Sequence, residues 1–163
     1  MVQHSDTCIN LISTDTSPPA GPPIHEVDRE KGVNGLNTSI KRLATSVMGK
    51  DPAFAPKVGT PVLPAWVDVR DIADAHAKAL QLPQGTSERF LLCGGVDYFE
   101  DGIQGLRARG EKGLGEVGAR CDTSKHFAID SSKAEKMLEI SFIPFERTME
   151  DTWESIKSLG FVE

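Results

Sequence analysis

Hydrophobic positions fall along the chain in short runs and helical stripes, separated by breaks rich in glycine and proline. CINLIS, residues 8–13, is an apolar run of the length of a buried strand. In GLNTSIKRLATSVMGKD, Leu36, Ile40, Leu43 and Val47 share one face at helical spacing. Asn37 or Thr38 can cap that helix and Gly49 can end it. AWVD, residues 65–68, reads as a brief strand and 69–82 as the helix after it, with Val69, Ile72, Ala73, His76 and Leu80 as its apolar stripe. RFLLCGG is a compact apolar strand stopped by two glycines. DYFEDGIQGLRARG has Phe99, Ile103 and Leu106 in line, a weak helix because Gly102 and Gly105 interrupt it. HFAI predicts a short strand, DSSKAEKML a short helix capped by Asp130, and EISFIPF an extended link. The clearest helix spans 146–159, with Met149, Trp153, Ile156 and Leu159 on one face and Gly160 as its stop. This alternation of strands and helices predicts an α/β architecture.

Composition narrows the picture without deciding it. A chain of 163 residues with 39% hydrophobic and 26% charged residues is long enough for one domain with a real core. Its formal charge of −6 argues against nucleic acid or an anionic membrane as partner, since both favour a basic surface. Three cysteines, Cys8, Cys93 and Cys121, show no CxxC spacing, which fits neither a disulfide framework nor a zinc site. No segment is apolar enough to span a membrane and the first residues do not read as a signal peptide, so a cytoplasmic protein is expected.

Each apparent motif has a structural alternative. GLGEVG, residues 113–118, matches the spacing of a dinucleotide-binding loop, but that chemistry needs a strand before it and a helix start after it. Here a charged segment precedes it, no helical period follows, and Glu116 would face a phosphate, so a flexible loop is expected. His4, His25, His76 and His126 lack metal-ligand spacing, and only His25, in the proline-rich loop, is placed near a pocket. Cys93 reads as buried and inert. WVDVRDIADAHAKAL gathers three aspartates, an arginine and a histidine, yet Asp68 suits a helix N-cap, Asp71 a capping-box acid, His76 packing, and Asp74 with Lys78 an i, i+4 pair.

The order of these segments carries a resemblance. WVDVRDIADAHAKAL, GPPIHEV (21–27), GLNTSIKRL (35–43), RFLLCGG and FAIDSSKAEKMLEISFIPFERTMEDTWESIKSLG together resemble the extended short-chain dehydrogenase/reductases, the NAD-dependent epimerase/dehydratase group. Within it they are similar to the branch of dihydroflavonol, cinnamoyl-CoA and methylglyoxal reductases. The resemblance implies the C-terminal portion of a Rossmann-type NAD(P)-binding fold with its substrate-binding region and an incomplete parallel sheet. One incomplete domain over 1–163 is expected, with the late Rossmann strand and loop in 8–27 and the substrate side in 28–163. It also implies NADP or NAD as cofactor and a small carbonyl compound as substrate.

The family's GxxGxxG loop and YxxxK pair have no counterpart here: the sole tyrosine is Tyr98, and four residues on stands Gly102. No catalytic or cofactor-binding residue therefore carries over, and no turnover is expected of the chain alone. The substrate-binding residues implied are Gly21, Pro22, Pro23 and His25 in the loop, and Asn37, Thr38 and Ser39 at the helix start. In the family an aromatic usually precedes the loop glycine; Ala20 stands there in this chain. The alternative reading is a non-catalytic module that binds a small molecule or a subunit.

Overall fold

The computed structural model describes residues 12–13, 19–50, 65–83, 88–116 and 129–162. Along them run β1 (Ile12–Ser13), β2 (Pro19–Ala20), a short 3-10 helix (Arg29–Gly35), α1 (Thr38–Val47), β3 (Ala65–Asp68), α2 (Val69–Ala79), β4 (Phe90–Leu91), β5 (Gly95–Val96), α3 (Phe99–Ala108), α4 (Ser132–Leu138) and α5 (Phe145–Ser158). β1 pairs parallel with β4, Ile12 opposite Phe90. β2 pairs parallel with β3, Pro19 opposite Val67, and β5 adds antiparallel to β3 through Trp66 and Gly95. This is a partial α/β fold with a small mixed sheet. Pro19, which has no N–H to give, sits in a strand whose described partner lies on one side only.

β3 divides the core. Successive strand residues point to opposite faces, and all four residues of β3 are buried. Trp66 joins a cluster built from α1, α3 and α5, including Ile40, Leu43, Ile103, Met149, Trp153 and Ile156. Val67 joins a second cluster with Ala75, Ala79, Phe90, Ala134 and Leu138, which brings α2, β4 and α4 together. The Trp66 and Phe145 ring centroids stand 5.2 Å apart with the planes tilted by 49°, a direct aromatic contact inside this cluster. Helices thus cover both faces of one short strand, the layering the alternating pattern predicts.

α2 departs from the expected stripe. Its buried face is Asp71, Ala75 and Ala79, at i, i+4 and i+8. His76 and Ala73 are exposed, and Leu80 is 86% exposed at the helix end. His76 therefore does not pack; its Nδ1 donates to the Ile72 carbonyl at 2.7 Å. The cause is α4, which packs against α2 with Ala134 and Leu138. Small side chains let two helices approach closely, so the alanines, not the larger residues, face inward. The helix also ends at Ala79 rather than at residue 82.

α3 forms despite its glycines. Ile103 and Leu106 are buried as expected. A Cβ on Gly102 would stand 2.7 Å from Met149 Cε and 2.9 Å from Cγ, so this glycine marks where α5 crosses close to α3. Its helix-propensity cost is offset by that packing. Of the expected strand HFAI only Ile129 lies within the described residues, as of CINLIS only Ile12 and Ser13; His4, Cys8, Cys121 and His126 lie outside them.

Candidate functional site

The charged cluster in WVDVRD sits where β3 becomes α2. Asp68 is wholly buried and caps α2, accepting the Arg70 backbone N–H at 2.8 Å. The Arg70 side chain grips the same carboxylate twice, Nε to Oδ1 at 2.9 Å and Nη2 to Oδ2 at 2.8 Å. Thr148 of α5 donates its hydroxyl to Asp68 Oδ2 at 2.7 Å. Arg70 Nη1 then reaches Asp151 Oδ2 at 2.6 Å, and Arg147 closes on Asp151 Oδ1 at 3.0 Å. Burial pushes the Asp68 carboxyl up, but hydrogen bonds from Arg70 and Thr148 outweigh it and hold the group below the ordinary carboxylate range. Every acceptor position of this buried charge is used, which is the condition under which a buried ion pair persists. The cluster is a tie between α2 and α5.

Asp71 does not complete a capping box. Its Oδ2 accepts the Ile143 backbone N–H at 3.0 Å, so it pins the link before α5 instead. Burial raises its pKa, while the Ile143 bond only partly counters this. The two aspartates therefore respond oppositely to acid. Asp68, depressed in the fold, contributes stability that is full above its unfolded value of 3.8 and is lost as pH falls through the folded value. Asp71, raised in the fold, contributes stability below 3.8 that is lost as pH rises through its folded value. Asp71→Asn keeps an acceptor for Ile143 and removes the buried charge, so urea unfolding at pH 7 should give a stability within about 1 kcal/mol of the wild type. A loss above about 2 kcal/mol would show that the ionised form is required.

The residues implied as substrate-binding occupy two neighbouring segments. Gly21 is buried with φ of 110°, a conformation that favours glycine, and a Cβ there would meet Asp68 Oδ1 at 3.0 Å. The loop thus leaves β2 directly over the buried ion pair. Pro22 and Pro23 are half-buried; His25 is exposed beside the 63%-exposed Ile24. Asn37 caps α1 by accepting the Ile40 N–H at 3.0 Å; Thr38 is exposed and Ser39 half-buried. Ala20 before the loop, and Leu36 and Ile40 around the helix start, belong to one hydrophobic cluster, so both segments are rooted in the same core.

The GLGEVG segment is docked as far as it is described. Gly115 donates its N–H to the Val47 carbonyl at 2.7 Å, at the C-terminus of α1. A Cβ there would stand 2.9 Å from the Met48 carbonyl carbon and closer still to Gly49. The expected flexible loop is therefore a close backbone crossing over Met48 and Gly49. It also meets the wrong end of a helix for phosphate, since a helix C-terminus carries partial negative charge.

Tyr98 is buried at the start of α3, and its carbonyl accepts the Asp101 and Gly102 N–H groups. Cys93 is buried, with its thiol donating to the Gly95 carbonyl at 3.2 Å.

A dinucleotide pyrophosphate needs an open helix N-terminus or a glycine-lined cradle. Among the described residues no helix start offers one. The 3-10 helix and α1 are closed by the Asp28 and Asn37 side chains, α2 by Asp68, and α3, α4 and α5 carry Glu100 and Asp101, Glu135 and Glu146 in their first turns. The described residues do not fit the phosphates of the cofactor. Nor do they bring three histidine, cysteine or acidic side chains together as a metal site. No described helix is long and apolar enough to cross a membrane.

Sequence reasoning missed Thr148, Asp151 and Ile143 as partners of the WVDVRD cluster. One signal was present: Thr148 and Thr152 stand one turn apart beside the apolar stripe of α5, and both are buried.

No family model matches the chain. The ketoreductase azaE of Aspergillus niger is 37% identical over 150 residues, covering 86% of this chain and 41% of that protein. Gre2 of Candida albicans, solved in complex with NADPH, superposes with a TM-score of 0.65 at 24% identity, over 91% of this chain and 43% of its own. Yeast methylglyoxal/isovaleraldehyde reductase Gre2, also complexed with NADPH, gives a TM-score of 0.65 at 24% identity, over 89% and 42%. The chain spans about two-fifths of the length of these proteins. In sequence the chain is thus similar to part of a fungal ketoreductase, and it shares its fold with part of the NADPH-bound Gre2 reductases.

Proposed function

We propose that this chain is the substrate-side portion of an NAD(P)H-dependent aldehyde or ketone reductase. The observation that carries the reading is the 37% identity to a ketoreductase, which covers most of this chain and less than half of that protein. In a complete enzyme of this kind the nicotinamide supplies a hydride to a carbonyl carbon. The contribution of the present residues is to shape and close the carbonyl pocket. Gly21, held over Asp68, fixes where the loop leaves the sheet; Pro22 and Pro23 limit its conformations and present His25. Asn37 holds the start of α1, with Thr38 and Ser39 beside it as hydroxyl donors toward a polar substrate group. The chain contains neither GxxGxxG nor YxxxK, so it turns over no carbonyl compound by itself.

The test is calorimetry of the chain with NADPH, followed by an assay with methylglyoxal. The expected result is no saturable heat and no NADPH oxidation above background. Saturable NADPH binding would contradict the assignment to the substrate side.

A further inference from the structure

We infer that Asn34 is a site of covalent modification: its side-chain amide converts to a carboxylate through a succinimide formed with Gly35, and Lys41 promotes the step. Asparagine is among the thermolabile side chains. Its conversion needs an accessible amide, a following residue that does not crowd the ring, and a backbone free to turn. Asn34 is followed by Gly35, which carries no side chain.

The fold leaves this pair in reach. The 3-10 helix breaks at Gly32, whose φ of 55° and ψ of −141° are not helical, so Asn34 and Gly35 belong to one short turn. Such turns have poorer hydrogen-bond geometry than an α-helix. No residue of Arg29–Gly35 is buried, and Asn34 is exposed. Lys41, one turn into α1, donates from Nζ to Asn34 Oδ1 at 2.7 Å. That oxygen is where negative charge gathers when the amide carbon is attacked, and a cation already bonded to it lowers the barrier.

The step balances with water alone. The Gly35 backbone nitrogen, losing its proton to solvent, bonds to Asn34 Cγ; the Cγ–Nδ2 bond breaks and ammonia leaves. Water then opens the succinimide at either carbonyl. One opening gives aspartate on an unchanged backbone. The other gives isoaspartate, whose main chain runs through the side chain and is longer by one carbon. The aspartate puts a carboxylate where Lys41 now bonds an amide, a charge-assisted pair in place of a weaker contact. The isoaspartate lengthens the chain where Gly35 presses on Asp28, so closely that a Cβ on Gly35 would collide with the Asp28 carbonyl oxygen. Asn37, the cap of α1, follows at once.

The test is incubation of the whole chain at pH 7 and physiological temperature, then mass spectrometry of the tryptic peptide that starts at Gly32 and carries both Asn34 and Asn37. Asn34 should show the mass change from amide to acid, in two chromatographic products. Asn37 precedes the β-branched Thr38 and holds the Ile40 N–H, and it should stay unchanged. Gly35→Ala should suppress the conversion by crowding the attacking nitrogen. Asn34→Gln, which keeps an exposed amide and disturbs no backbone, should suppress it by requiring a larger ring. Lys41→Met should slow it about threefold in the folded chain, the effect of one exposed ammonium, and leave the rate in urea unchanged. No conversion at Asn34, equal conversion at Asn37, or equal rates for Lys41→Met and wild type in the folded chain would overturn the proposal.

Discussion

Asp68→Ala should lower the unfolding free energy by about 3–5 kcal/mol, the cost of breaking a buried ion pair from one side. The alanine removes the only carboxylate that Arg70 grips with two nitrogens, the cap on the Arg70 N–H and the acceptor for Thr148. It also leaves a hole beside Gly21, where the carboxylate lies against the loop backbone. Arg70 keeps Asp151 and is one-third exposed, so the guanidinium itself is not stranded. The penalty therefore arises from the lost pair, the lost cap and the orphaned Thr148 hydroxyl. Urea denaturation at pH 7 measures it. Near pH 3 the difference from wild type should shrink, because there the wild-type carboxylate begins to lose its advantage in the fold. A constant difference across this range would mean that shape, not charge, holds α2 to α5.

Gly102→Lys should also cost about 3–5 kcal/mol, and it should create no activity. The substitution places a lysine four residues after Tyr98, the spacing the family uses in its catalytic pair. Position 102, however, is buried at the crossing of α3 and α5, with Met149 within 3 Å of any Cβ. Overpacking of this kind costs about 1–3 kcal/mol, and a buried ammonium adds several more, less about 1 kcal/mol regained in helix propensity. Thermal unfolding and a methylglyoxal reduction assay read the two parts separately. A stable G102K chain would show that α3 and α5 are not packed as described, and turnover would show that Tyr98 stands in a reactive site.

Local chemistry was legible in the sequence; long-range partners were not. Helices α1 and α5, strand β3 and the caps Asn37 and Asp68 follow from spacing and side-chain type, because their causes lie within one or two turns. The buried face of α2 did not follow, since α4 chose it some 60 residues later. Arg70 read as one charge among several because Asp151 is 81 positions away. Gly102 read as an interruption and Gly115 as part of a flexible loop, since a glycine's purpose is visible only when its neighbour in space is known. For the candidate site, the cap role of Asn37 was visible and the support of Gly21 by Asp68 was not.

The bond from Thr148 to Asp68 spans 80 residues of chain. During synthesis Asp68 and Arg70 are complete long before Thr148 and Asp151 exist, and until α5 docks, the carboxylate stays in water. Closing so long a loop is slow and must precede its own reward. Strand β3, whose opposite faces anchor both hydrophobic clusters, is therefore fully covered only once α5 has docked.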